Sequence, residues 1–150
     1  MAKTIYVLNG PNMNLLGTRE PEKYGRATLA DVEKLCAETA NRFGMEVVCR
    51  QSNKEGELVD WIQEARKTMA GIVFNPAAYS FTSMAILDAL KASQLPIVEV
   101  HITNIHRREE HYHHSYVSKI ATAVIAGLGP KGYGIAVRAI CDMLRPVPTT

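Results

Sequence analysis

The chain has 150 residues, 47% of them hydrophobic and 21% charged, with a formal net charge of +2. That length suits a single domain over residues 1–150 with a substantial core. So small a charge argues against nucleic acid or an anionic membrane surface as partner, no apolar run reaches membrane-spanning length, and three scattered cysteines, Cys36, Cys49 and Cys141, match no metal or redox spacing.

The opening MAKTIYVLNG reads directly as a strand and not as a basic and apolar leader, so a cytoplasmic location is expected. The β-branched and aromatic run Thr4–Leu8 is strand one, stopped by the turn signal Asn9-Gly10-Pro11-Asn12. Residues 13–27 read as a long loop carrying Arg19 and Tyr24, and long loops in compact domains tend to be functional. Thr28 with Asp31 resembles a capping box, and Leu29, Val32, Leu35, Cys36 and Phe43 give a helical stripe ending at Gly44. Strand two is Glu46–Arg50, followed by a helix over Gly56–Met69 in which Trp61 packs. Strand three, Gly71–Asn75, is apolar almost throughout, as in a strand covered on both faces. A third helix is expected over Ser83–Ala92, strand four over Ile97–Val100, strand five over Ala121–Ala126 and a last helix over Tyr133–Leu144. The tail from Arg145 is expected to fray.

Strands alternating with helices imply an α/β fold with a parallel sheet and helices on both faces. Five strands suggest a flavodoxin-like, doubly wound sheet of order 2-1-3-4-5. Ligands then sit beyond the carboxyl ends of the strands, where Asn9, Asn12, Asn75 and His101 converge.

All five histidines fall between His101 and His114. Histidine titrates near neutrality, so their concentration after one apolar strand suggests proton transfer. Glu99 lies two residues before His101 and therefore on the same face of the strand. A buried carboxylate needs a partner, and the imidazole is a suitable one. Arg19 and Tyr24 form a second pair. A free phenol titrates near pH 10, and a guanidinium beside it favours the phenolate, which makes Tyr24 a candidate base.

Three stretches, NGPNMNLLGTREPEKYG, NPAAYSFTSMAILDAL and IVEVHITNIHRREEHYHHSY, together resemble type II 3-dehydroquinate dehydratase, and the resemblance extends over essentially the whole chain. It implies a hydro-lyase without metal or cofactor, assembled as a dodecamer of four trimers. Such an enzyme removes water from 3-dehydroquinate by anti elimination through an enolate. The resemblance assigns the base to Tyr24, its activation to Arg19, the proton donor to His101 and the orienting carboxylate to Glu99. Asn12 corresponds to the residue that helps hold the water stabilising the enolate. Asn75 and the backbone of Ile102 and Thr103 match positions that bind the ring hydroxyl and the carboxylate. Arg108 matches a loop arginine that closes over the site, and Asp88 a residue supplied across a subunit contact.

Two positions depart from the pattern: Phe81 stands where the family has histidine, and Tyr112 where it has a second loop arginine. Both family residues contact ring hydroxyls. Their loss implies weaker hydroxyl reading and a smaller penalty for a less hydroxylated, carboxylated β-hydroxy ketone. Other classes fit less well. A flavin-binding module would need a Ser/Thr/Gly-rich phosphate loop after strand one, and NGPNMNLLG is not one. A phosphoacceptor receiver would need acids where Asn9 and Asn75 stand. A metal site on His111, His113 and His114 is disfavoured because the adjacent pair cannot easily reach one ion. A weakly active or non-catalytic homologue is the remaining alternative.

Overall fold

A computed structural model describes residues 3–145. Five strands, β1 (Thr4–Asn9), β2 (Glu46–Gln51), β3 (Gly71–Asn75), β4 (Ile97–His101) and β5 (Ala123–Ala126), form one parallel sheet. Their order is β2-β1-β3-β4-β5, the doubly wound, flavodoxin-like arrangement expected from the sequence. The helices are α1 (Pro21–Tyr24), α2 (Leu29–Asn41), α3 (Glu55–Thr68), α4 (Met84–Ser93) and α5 (Lys131–Leu144).

Strand alternation divides the core into two layers. Ile5, Val7, Val73, Val98 and Val100 face α2 and α5, burying Val32, Cys36, Ala136, Val137 and Ile140. Tyr6, Leu8, Ile72, Phe74 and Ile97 face α3 and α4, burying Leu58, Ile62, Ile86 and Leu90. Trp61 is half-buried against this second layer, as the sequence suggested. The capping box at the start of α2 is present: Thr28 Oγ1 accepts from the Asp31 N–H, and Asp31 Oδ2 accepts from the Thr28 N–H. Ser83 caps α4 in the simpler way, accepting from the Ile86 N–H.

Two segments differ from expectation, and a third, read only as polar, is built of turns. Residues 13–27 are not an unbroken loop, since Met13–Leu15 forms a 3-10 turn and Pro21–Tyr24 the short helix α1. Pro21 at the first turn starts α1, because its missing N–H costs nothing there. Strand β5 begins at Ala123 and not Ala121, because the Thr122 side chain accepts from the Ile97 N–H and holds the chain in a turn before the ladder. The crossover from β4 to β5 contains no α-helix. It consists of three 3-10 turns, Ile105–Arg107, Glu110–Tyr112 and Val117–Lys119, because its polar sequence has no apolar stripe to bury. The frayed tail was expected from Arg145, and its residues from 146 on lie outside those described.

Candidate active site

Strands β1, β3 and β4 end together at one edge of the sheet, and their last residues support a cleft. The cleft has a cavity volume of about 110 Å³ and is lined by residues of the loops after β1, β3 and β4.

Beneath its floor, Asn9 and Asn75 face the α5 layer, where Tyr133 is fully buried. Tyr133 donates its hydroxyl to Asn9 Oδ1 at 2.5 Å, and Asn75 Nδ2 donates to the Tyr133 oxygen at 2.9 Å. Burial pushes the Tyr133 phenol far up, so it stays protonated and can donate. Asn75 Oδ1 accepts from the Ala77 N–H at 3.0 Å, which holds Ala77 at φ 53° in the left-handed region. Such a conformation strains a residue with a Cβ and needs support of this kind.

Asn12 is also left-handed, at φ 69°, a region that asparagine tolerates better than most residues. Its backbone N–H donates to Asn53 Oδ1, while its side chain lines the cleft. Asn53 is held by Gln51 Nε2, which also donates to the Gly10 carbonyl, so the end of β2 braces the Asn12 loop. Further along, Gly17 (φ 93°) turns the chain back and α1 delivers Tyr24 to the cleft. The Arg19 guanidinium lies 5.3 Å from the centre of the Tyr24 ring. Arg19 is also paired with Glu20 at 3.7 Å, an exposed contact of small energetic weight.

At the end of β4, Glu99 is fully inaccessible to solvent and His101 nearly so. His101 Nε2 lies 2.5 Å from Glu99 Oε2. Ser115 Oγ donates to the same oxygen and Ser118 Oγ to Glu99 Oε1, at 2.6 and 2.5 Å. Burial acts to raise the Glu99 pKa, but the hydrogen bonds from His101, Ser115 and Ser118 and the nearby imidazole outweigh it. The carboxyl is therefore held below its ordinary range. A carboxylate at Nε2 selects the tautomer with its proton there, leaving Nδ1 as the nitrogen not engaged by Glu99.

After His101 the chain turns. The backbone of Ile102 and Thr103 lines the cleft, and among the described residues neither N–H has a protein acceptor. Phe81, Arg108 and Tyr112 form the remaining wall. The structure thus brings Asn12, Arg19, Tyr24, Asn75, Phe81, His101, Ile102, Thr103, Arg108 and Tyr112 around one space, with Glu99 directly behind His101. Asp88 is not among them. It sits exposed on α4, outside the cleft formed by its own chain. Tyr133, Ser115, Ser118, Gln51 and Asn53 support the site and were not singled out as site residues from sequence. Tyr133 has no local sequence signal, because its partners Asn9 and Asn75 lie far away along the chain. The serines and the Gln51–Asn53 pair carry no local signal. Among the described residues, no group of three or more His, Cys, Asp or Glu side chains gathers to hold a metal ion.

Residues 3–141 match the family model for class II dehydroquinase. A 3-dehydroquinate dehydratase from Rhodopseudomonas palustris (strain TIE-1) is 59% identical over 145 residues, covering 96% of each chain. One from Nitrobacter winogradskyi is 60% identical over 148 residues, covering 98% of this chain and 95% of its own. The crystal structure of type II dehydroquinase from Propionibacterium acnes superposes with a TM-score of 0.90 at 44% identity, covering 95% of this chain and 98% of that one. With the fold, the cleft and these likenesses in agreement over nearly its whole length, the chain belongs to the class II dehydroquinase family.

Proposed function

We propose that the protein dehydrates 3-dehydroquinate to 3-dehydroshikimate. The observation that carries this reading is the buried Glu99–His101 pair facing Tyr24 and Arg19 around one cleft, in a chain of this family.

The reaction removes a proton α to a ketone and a hydroxyl β to it. Tyr24, with the Arg19 guanidinium beside its ring, takes the α proton as general base. The electrons move onto the carbonyl oxygen as an enolate, and Asn12 serves this charge through a bound water. His101, protonated at Nδ1, gives its proton to the departing hydroxyl. Carbon–oxygen cleavage then releases water and leaves the conjugated enone. Glu99 holds the imidazole through Nε2 and stabilises the imidazolium that this step consumes. The carboxylate of the substrate meets the unpaired N–H groups of Ile102 and Thr103, and Asn75 reads a ring hydroxyl.

Residues 1–150 act as one catalytic domain in this reading, in the cytoplasm. Asp88, exposed on α4, supports an assembly in which one subunit completes the site of the next. Val124 and Leu128, exposed on and beside the edge strand β5, leave apolar surface for such an assembly to cover. The expected assembly is a dodecamer built from four trimers. Among the described residues no helix is long and apolar enough to cross a membrane.

The test is turnover of 3-dehydroquinate by the purified protein, followed at the absorbance of the enone product. Steady production of enone supports the reading, and none at saturating substrate and high enzyme overturns it.

A further inference from the structure

The cleft lining includes the polar side chains of Asn12, Arg19, Tyr24 and Asn75. It also includes an aromatic wall, in which the Phe81 ring lies 6.4 Å from the His101 ring with their planes 25° apart. The Tyr112 ring meets Phe81 edge-on, at 5.2 Å and 80°. The Arg108 guanidinium stacks over Tyr112, 3.8 Å from the ring centre, and its Nε is buried without a hydrogen-bond partner among the described residues. A 2.6 Å contact between His113 Nε2 and the Arg108 carbonyl holds the intervening turn. A contiguous run of planar groups, turned edge-on between Phe81 and Tyr112, therefore leads from His101 through Phe81 and Tyr112 to Arg108.

Phe81 can neither donate nor accept a conventional hydrogen bond, and Tyr112 offers a single hydroxyl. A C–H edge laid against this wall gains from apolar burial and from contact with the ring faces. A hydroxyl laid there loses its water and finds little in return. Arg108 keeps a positive charge on the cleft, so an anionic group on the ligand is still favoured.

We propose that Phe81 and Tyr112 are specificity-determining residues: they let this enzyme dehydrate carboxylated cyclic β-hydroxy ketones that lack further ring hydroxyls at least as well as 3-dehydroquinate. The proposal rests on the dehydration reading above. The chemistry is unchanged, since one C–H and one C–O bond break, the enone and water form, and no electrons are gained or lost. What changes is how the ring edge is read, by shape and not by hydrogen bonds.

The experiment compares kcat/KM on 3-dehydroquinate with kcat/KM on 1-hydroxy-3-oxocyclohexane-1-carboxylate, the same skeleton without its two other ring hydroxyls. Both products are conjugated enones and are read the same way. The wild-type protein should use the second compound as well as the first or better. The F81H/Y112R variant, which restores two hydrogen-bonding side chains to the wall, should move the ratio toward 3-dehydroquinate by about 10- to 1000-fold. Should that variant not fold, F81H and Y112R alone carry the same comparison, each with a smaller shift in the same direction. Any reproducible wild-type preference for 3-dehydroquinate would overturn the proposal and leave the dehydration reading standing. So would a ratio that does not move in a folded variant. Turnover of neither compound would overturn both.

Discussion

Glu99 keeps its charge inside the sheet because three donors surround it, and this links acid stability to activity at one residue. Its folded pKa is lowered, so its contribution to stability is present above the ordinary carboxylate value and fades as pH falls through the folded one. Comparing thermal unfolding of wild type with Glu99→Gln should show a wild-type advantage at about pH 6 that shrinks below about pH 4.5. An advantage that grows on acidification would contradict the assignment. In kinetics, His101→Ala should lower kcat by about 10²- to 10⁴-fold, more than it weakens ground-state binding. Glu99→Gln should cost less than His101→Ala, since it misorients the donor and does not remove it. Tyr24→Phe loses one hydroxyl on a half-buried side chain, so it should abolish turnover while leaving the unfolding midpoint nearly unchanged. A variant with near-wild-type kcat would remove Tyr24 from the role of base. The Glu99–His101 pair was legible in the sequence because strand periodicity alone sets two residues, i and i+2, on one face. Tyr133 was not legible, because its partner Asn9 is 124 positions away and no local pattern joins them.

Among elements, the ends of β1 and β3 approach so closely that only glycine fits at position 10. A Cβ there would lie 2.3 Å from the Pro76 carbonyl oxygen, a backbone atom that cannot swing aside. Gly10→Ala should therefore destabilise the protein by about 1–3 kcal/mol. It should also raise KM, because relief of the clash moves both the Asn12 and the Ala77 turns. Urea unfolding together with steady-state kinetics checks this. Unchanged values for both would mean that the two strand ends are not held as close as described. The strands were legible as β-branched apolar runs between turn signals, and α2 through its cap and stripe. The crossover after β4 was not, since 3-10 turns have no sequence period to recognise and are fixed by contacts such as the Tyr116 N–H to the Ser80 carbonyl.

For the whole molecule, the parallel sheet followed from alternation of strands and helices, and the order β2-β1-β3-β4-β5 from analogy with flavodoxin-like folds. The proposed assembly does not follow from any such pattern. An exposed Asp88, or an exposed Val124 or Leu128, looks like ordinary surface when the chain is read singly. Light scattering on the purified protein should give about twelve times the mass of one chain. Asp88→Ala should lower kcat/KM even though the residue stands outside its own chain's cleft. A fully active monomer, or an Asp88→Ala variant with unchanged kinetics in an intact assembly, would overturn the role of the subunit contact.

The buried hydroxyl of Tyr133 has a bearing on how the chain matures during synthesis. Residues that line the cleft run from Pro11 to Tyr112, so all of them leave the ribosome before the tyrosine that joins Asn9 to Asn75. Until then, the carboxamides at the ends of β1 and β3 lack the bridge between them. A nascent chain arrested with residue 133 still inside the exit tunnel should therefore bind no ligand in the cleft. Extending the arrested chain until α5 emerges should switch binding on over the length of a single helix.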